Sequence, residues 1–289
     1  MNQFDHLHRF LFDDLGIRGE LVHLDSSWLS ILANHSYPPF VRAQLGEALA
    51  ATVLLSATIK FKGSLILQSQ SQGPLGTLVA QATHERTIRG LAHWRGEPSG
   101  STLREIYGDG NLVLTILNED SEPYQGIVPL EGNNLSEALQ TYFQLSEQLA
   151  TRLWLTANEN SAVGLLIQEL PSNGKNPHDW DRIICLADTL TQAELINLPV
   201  RDLLHRLFNQ ENLRIFEPER VLFRCTCSKE RIEGLILSLG QPQATSILDE
   251  KEAIETVCEF CNRHYRFDRV DVAALFEGAS NLPAVLSKQ

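Results

Sequence analysis

LILQSQSQGPLGTLVAQATHERTIRGLAHW, residues 65–94, is the stretch that decides the fold. It holds three short runs, LILQSQ (65–70), TLVAQA (77–82) and TIRGLAHW (87–94), rich in the branched and aromatic residues that suit a pleated surface. Two more follow, LVLTIL (112–117) and YQGIVPL (124–130), and turn signals such as Gly73-Pro74 and Gly108-Asp109-Gly110 separate them. Strands this close in sequence point to antiparallel pairing. Upstream, Tyr37, Pro38 and Pro39 open a long helical reading with Phe40, Leu45, Leu49, Val53 and Leu54 on its apolar side, running to Lys62-Gly63. Its most apolar part, Ala48 to Ile59, is broken by Thr52, Ser56 and Thr58 and falls short of the ~20 residues a bilayer requires, so it reads as a buried helix. Downstream, Asn134 with Glu137 forms a capping-box start for a helix carrying Leu135, Leu139, Phe143 and Leu149, and RLWLTA (152–157) and GLLIQEL (164–170) give two further strands. The expectation is an α+β fold with a largely antiparallel sheet, a mixed N-terminal domain over residues 1–175.

The composition changes at Pro171-Ser-Asn-Gly-Lys-Asn-Pro177, a polar, turn-rich segment that reads as a boundary. Helical spacing dominates beyond it. Trp180, Ile183, Ile184, Ala187 and Leu190 recur on one face, Thr191 with Glu194 is a second capping box, and Val200, Leu203, Leu204, Leu207 and Phe208 form a clean apolar stripe. Helices this short are marginal in water. The expected helical linker, 176–220, must therefore lay its stripes either on the first domain or on the cysteine-bearing unit expected over 221–289.

The chain has 289 residues, 43% of them hydrophobic, enough for one substantial domain and smaller units. A formal net charge of -12, with only 24 Lys and Arg, argues against a nucleic-acid partner. The opening MNQFDHLHRF carries Asp5, His6 and His8 where a secretory signal needs basic residues and a long apolar run, so a cytoplasmic location without membrane attachment is expected. Met1 is the single methionine. Thioethers oxidise to polar sulfoxides that spoil cores, so their absence suits oxidising conditions; a general loss of oxidisable residues, as in thermophiles, gives the same composition.

Four of the five cysteines fall into two close pairs: Cys225 and Cys227 in FRCTCSKE (223–230), Cys258 and Cys261 in VCEFCNRHY (257–265). Two short chelating segments brought together by folding offer the four thiolates of a tetrahedral zinc site, one ion per chain, and in a reducing compartment such clustering favours metal over a structural disulfide. Four thiolates leave the site dianionic, and Arg224, Lys229, Arg231, Arg263 and Arg266 lie near in sequence. Such a site is either a structural staple or a redox sensor. The CxC spacing favours a sensor, because cysteines one residue apart close only a strained, easily reversed disulfide ring. Losing the metal would remove roughly 10 to 16 kcal/mol, more than many domains possess in total. Cys185 stands apart, beside Ile184, and reads as a small core residue; His264 reads as a surface or supporting group. Two other readings stay open, a zinc-ribbon nucleic-acid binder and a dithiol oxidoreductase using Cys258 and Cys261, though the second pair weakens the latter. No nucleophile elbow, Walker loop or dinucleotide fingerprint is present, so the chain is not expected to be an enzyme.

DHLHRFLFDDLGIRGELV (5–22), YQGIVPLEG (124–132), SEQLATRLWL (146–155), GLLIQELP (164–171), CTCS (225–228) and CEFCNRHYRF (258–267) together give the chain its likeness to a known family. Over its whole length it resembles the redox-regulated 33 kDa heat-shock chaperones. That resemblance implies zinc on Cys225, Cys227, Cys258 and Cys261, and on oxidation the pairs Cys225–Cys227 and Cys258–Cys261. It also implies ATP-independent holding of unfolding proteins, inactive when reduced and zinc-bound, activated by oxidation, zinc release and unfolding, and accompanied by homodimerisation. The linker residues Ile183, Ile184, Leu203, Leu204, Leu207 and Phe208 are then candidates for the client-binding surface.

Overall fold

The computed structural model describes residues 5–13, 15–119, 121–171 and 177–280. The chain divides into two compact units, Met1–Arg224 and Cys225–Gln289.

The first unit runs β1 (His6–Phe12), β2 (Ile17–Leu24), α1 (Ser26–Leu32), α2 (Pro39–Thr58), β3 (Gly63–Gln70), β4 (Leu75–Thr83), β5 (Thr87–Trp94), α3 (Leu103–Tyr107), β6 (Asn111–Asn118) and β7 (Ser121–Pro129). It continues through α4 (Leu135–Tyr142), β8 (Thr151–Ala157), β9 (Ala162–Glu169), α5 (Pro177–Ala187), α6 (Gln192–Asn197), α7 (Val200–Phe208), β10 (Leu213–Ile215), β11 (Glu219–Arg220) and β12 (Leu222–Phe223). The strands form two sheets rather than one. One has the order β10-β1-β2-β9-β8, with β11 also on β1; the other runs β12-β5-β4-β3-β6-β7. All pairings are antiparallel except β12 on β5.

Between the sheets lies α2, whose Val41, Leu45, Leu49, Val53 and Leu54 are fully buried. By length and composition this helix could cross a membrane, yet most of its surface is covered by the protein. It ends at Thr58, with Ile59 already extended, four residues before the Lys62-Gly63 pair. Alternation then explains the burial of the first sheet. Leu7, Val22 and Leu166 face α2, whereas Phe10, Phe12, Ile17, Leu21, Val163, Leu165 and Ile167 face the other way. Onto that second face pack Ile183, Ala187, Leu195, Val200, Leu203, Leu204, Leu207 and Phe208 from α5 to α7. The linker stripes thus lie on the first unit, and β10 to β12 carry the chain back across both sheets before it reaches Cys225. Phe208 seats its ring edge-on to Phe12, centroids 5.0 Å apart.

Two sequence expectations need correcting. Cys185 is exposed. Ile183 and Ala187, four apart, set the buried face of α5, and a residue midway between them points to the opposite side. The helix after Asn134 stops at Tyr142 and gives way to a π turn, Phe143–Glu147, with Gln148 left-handed at φ 54, so Leu149 lies outside it. Its cap is also half a box: Asn134 accepts from the Glu137 N–H at 3.0 Å, but Glu137 accepts from the backbone of Asn133. The Thr191 and Glu194 box closes reciprocally.

A buried charge cluster sits on the α2 side of the first sheet. Glu20 is 2% exposed, faces Arg18, Arg9 and Arg86, and has one carboxylate oxygen without a hydrogen-bond partner. Burial raises its carboxyl to about 7, although the three arginines pull the other way. Arg9 and Arg86 also bind Glu219 of β11, at 2.5 and 2.7 Å.

The second unit comprises α8 (Lys229–Leu239), α9 (Gln241–Glu250), β13 (Ala253–Val257), β14 (His264–Asp268) and α10 (Arg269–Ser280). β13 and β14 form an antiparallel hairpin, and Ile236, Ala244, Leu248, Ile254, Tyr265, Phe267 and Val272 make a small core against which Cys227 and Cys258 pack.

Candidate metal centre

Each cysteine pair owes its position to a local structural device. Cys225 and Cys227 follow β12 in extended chain and are stopped by α8, whose N-cap Ser228 accepts from the Arg231 N–H at 3.3 Å. Cys258 and Cys261 occupy the turn of the β13–β14 hairpin. There the Cys258 carbonyl accepts from the N–H groups of Cys261 (3.3 Å) and Asn262 (2.8 Å), and the Cys258 N–H donates to Arg263 at 3.0 Å. Asn262 takes the left-handed conformation this tight turn demands, φ 53.

These devices bring the four sulfurs together. All lie within 4.8 Å of one another, with Cys225 to Cys258 at 3.5 Å and Cys227 to Cys261 at 3.4 Å. A tetrahedral ion with bonds of ~2.3 Å to sulfur needs sulfurs about 3.8 Å apart. The two closest separations fall a few tenths of an ångström short of that value and none exceeds 4.8 Å, so the residues present fit a metal of this kind. His264 is exposed and outside the cluster; Cys185 lies on α5 in the other unit.

The thiols differ in how readily they ionise. Burial pushes the Cys225 thiol up to about 12 and raises Cys261 as well. Burial opposes ionisation of Cys227 too, but hydrogen bonding from Tyr265 and the neighbouring thiols outweighs it and lowers that thiol to about 7. The Tyr265 hydroxyl approaches Cys227 and Arg263 more loosely than a regular hydrogen bond. Tyr265 is a contributor that the cysteine spacing alone does not reveal; its alternation on β14 with Phe267, both inward, is the signal that finds it. Of the nearby cations, Arg263 feels the Cys227 and Cys261 charge, while Arg224 pairs with Glu85, Lys229 with Glu233 and Asp271, and Arg266 with Glu255.

The six linker residues singled out from the sequence are brought together, but under cover. Ile183, Leu203, Leu204, Leu207 and Phe208 are buried against the first sheet and Ile184 is half-buried.

With this geometry in view, the relationships of the chain are informative. It is 60% identical over 288 residues, the whole of both chains, to the 33 kDa chaperonin of Nitrosococcus oceani. It is 44% identical over 276 residues, 94% of each chain, to the 33 kDa chaperonin of Methylobacillus flagellatus. Its fold resembles the crystal structure of the 33 kDa chaperonin (heat shock protein 33 homolog) of Thermotoga maritima, with a TM-score of 0.83 and 22% identity over 96% of this chain and 99% of that one. The model of the family described as Hsp33 protein matches residues 5–268, which takes in both units and all four clustered cysteines. The chain belongs to the Hsp33 protein family, the family of the 33 kDa chaperonins.

Proposed function

We propose that this chaperone is an ATP-independent holdase switched by oxidation, acting by binding unfolded or oxidatively damaged proteins rather than by catalysis. In the proposed resting state one zinc ion is held by Cys225, Cys227, Cys258 and Cys261. When bound, zinc would keep the thiolates deprotonated and supply folding energy to the second unit. The observation that carries the reading is that four thiols converge in a unit whose own core is small.

The chemistry of the switch belongs to the sulfurs. Two thiolates give two electrons to a peroxide, whose O–O bond breaks; one S–S bond forms, two protons are taken up and two waters leave. Repeated once, this closes Cys225–Cys227 and Cys258–Cys261, the pairing implied by the family resemblance, and no ligand remains. The second unit then loses its staple. The chain enters it directly from β12, so the strain reaches β10 to β12 and the short helices α5 to α7. Detaching those helices would bare both the linker stripe and the sheet face of Phe10, Phe12, Leu21 and Leu165, a surface for clients and for a second copy of the chain. The proposed setting is the cytoplasm.

The test measures zinc content and suppression of client aggregation side by side in reduced and peroxide-treated protein. Reduced protein should hold one zinc and suppress little; oxidised protein should hold none, suppress strongly, and become protease-sensitive between about residues 178 and 220. Zinc retained after all four cysteines are replaced by Ser, or full activity in the reduced state, contradicts the reading.

A further inference from the structure

We propose that the first unit binds a small amino alcohol in the cavity where α2, α4 and β8 meet the turn into α6, with Glu47 taking its ammonium group and Arg152 its oxygen. Binding stands apart from the chaperone reading above; only its consequence for the switch rests on that reading.

The cavity holds about 310 Å³, at the small end of the roughly 300–1,000 Å³ of ligand pockets, and polar side chains outnumber apolar ones around it. Glu47 is its least expected member. It sits on the core helix α2 between the buried Gly46 and Ala48, and among the described residues no hydrogen bond or ion pair holds its carboxylate. Burial, unopposed by any partner, raises that carboxyl to about 7. Two more lining residues carry orphaned polar atoms: Oε1 of Gln140 and Nε of Arg152 are buried without a hydrogen-bond partner. Buried polar groups are normally paired. Three unpaired ones around a single cavity, an anionic acceptor, a neutral acceptor and a donor, call for a ligand of matching pattern.

The charges narrow that pattern. Arg152 gives Nη2 to both carboxylate oxygens of Asp188, at 2.9 and 3.0 Å, so its charge is already matched and its buried Nε is left as a donor. Glu137 adds a second carboxylate to the lining, held by the Asn133 N–H at 2.9 Å. The lining is therefore anionic. An ammonium group, with three donors, answers Glu47 and Gln140 together. The oxygen offered to Arg152 has to be neutral, because a carboxylate would also meet Glu47 and Glu137. An alkylamine lacks that oxygen and a free amino acid brings it with a charge, whereas an amino alcohol carries both groups in the required form. Leu153, Leu155 and Leu195 cover its carbon chain.

The walls come from the two parts that the proposed switch separates. α2, α4 and β8 belong to the core, whereas Leu190, Thr191, Gln192 and Leu195 belong to the linker, in α6 and the turn before it. A ligand that touches both fits only the packed arrangement, so by linkage it holds α6 in place and opposes its release.

The experiment is titration calorimetry on reduced, full-length protein with leucinol, beside isopentylamine, isohexanol and leucine. Leucinol should bind once per chain. Isopentylamine, which lacks the hydroxyl, and leucine, which adds a carboxylate, should each bind severalfold more weakly, and isohexanol, without the amine, should give no saturable heat. Glu47→Gln keeps the size and removes the charge, and should weaken leucinol about tenfold or more at pH 8 without lowering the melting temperature. Gln192→Trp, at an exposed position of the lining, should block the cavity. Wild-type affinity should fall about tenfold from pH 8 to pH 6 as Glu47 takes up its proton. Glu137, Arg152 and Tyr107 are the other ionisable groups near it, and Glu47→Gln should remove a pH step that they would retain. At ten times its dissociation constant leucinol should slow hydrogen exchange over residues 188–198 about tenfold. No saturable heat with leucinol at millimolar concentration, equal binding of leucine or isohexanol, or binding indifferent to both substitutions would overturn the site. Binding with unchanged exchange over 188–198 would overturn its hold on α6. Aggregation suppression by oxidised, ligand-free protein is measured in parallel, so a failure of the chaperone reading shows there while the binding result stands by itself.

Discussion

The two units of this chain reach stability by opposite means. The first buries both faces of one sheet and the inner face of the other, with Trp28, Tyr107, Phe10, Phe12 and Phe208 all fully enclosed. The second encloses little beyond Ile236, Phe267 and their neighbours, and leaves Leu235 61% and Val270 77% exposed. Small domains that cannot bury enough apolar surface depend on a staple. In the proposed switch the staple and the sensor are the same four sulfurs, so the part of the molecule that would read the oxidant is the part least able to survive the reading.

The largest effect should come from removing the metal without oxidation. A chelator under reducing conditions should abolish the hydrogen-exchange protection of residues 225–268, since the proposed zinc would contribute roughly 10 to 16 kcal/mol, while the sheets of the first unit keep theirs. Next comes the linker packing. Phe208→Ala empties a site enclosed by Phe10 and Phe12 and should cost about 3–5 kcal/mol in denaturant unfolding of the first unit, with zinc content unchanged. If zinc binding fell with it, the two units would not be energetically separate.

Glu20 supplies a pH test. Its carboxyl, near 4.5 unfolded, sits at about 7 in the folded protein, so the folded state binds the extra proton between those values. The stabilisation is complete below about pH 4.5 and is lost as pH rises through 7. Glu20→Gln should therefore raise stability at pH 8 by up to about 3 kcal/mol and flatten the profile between pH 5 and 8. A profile unchanged by the substitution would place the carboxylate in its charged form throughout. Smaller still, Thr191→Ala opens the closed capping box of α6 and should cost about 1 kcal/mol. Cys185→Ala, on an exposed helix face, should change stability by no more than about 0.5 kcal/mol and leave switching intact, as judged by zinc release and aggregation suppression.

What the sequence made legible follows the range of the interactions. The clustering of the four sulfurs was readable because each half is local: CxC before a helix cap and CxxC in a hairpin turn need no knowledge of the rest of the fold. The strands between residues 65 and 130 were readable because one sheet face is covered and the other open, which gives alternation. β1 and β2 were not, since burial on both faces removes that alternation. The apolar faces of α5 and α7 were correct, but which surface covered them depended on Phe10, Phe12 and Leu165, contributed from far away in the chain. The exposure of Cys185 is not legible from its neighbour Ile184, because successive residues on a helix turn by about 100° and adjacency in sequence is not adjacency on a face. The cavity near Glu147 has no sequence signal, being assembled from α2, both sheets and a π turn.

The most direct test is hydrogen exchange by mass spectrometry on one protein in two states, reduced with zinc and peroxide-treated at mildly raised temperature. Protection should vanish over residues 225–268 and weaken over 178–223, while β2, β9 and α2 remain protected. Retained protection across 225–268 in zinc-free, oxidised and active protein would contradict the account, as would a uniform loss across both units.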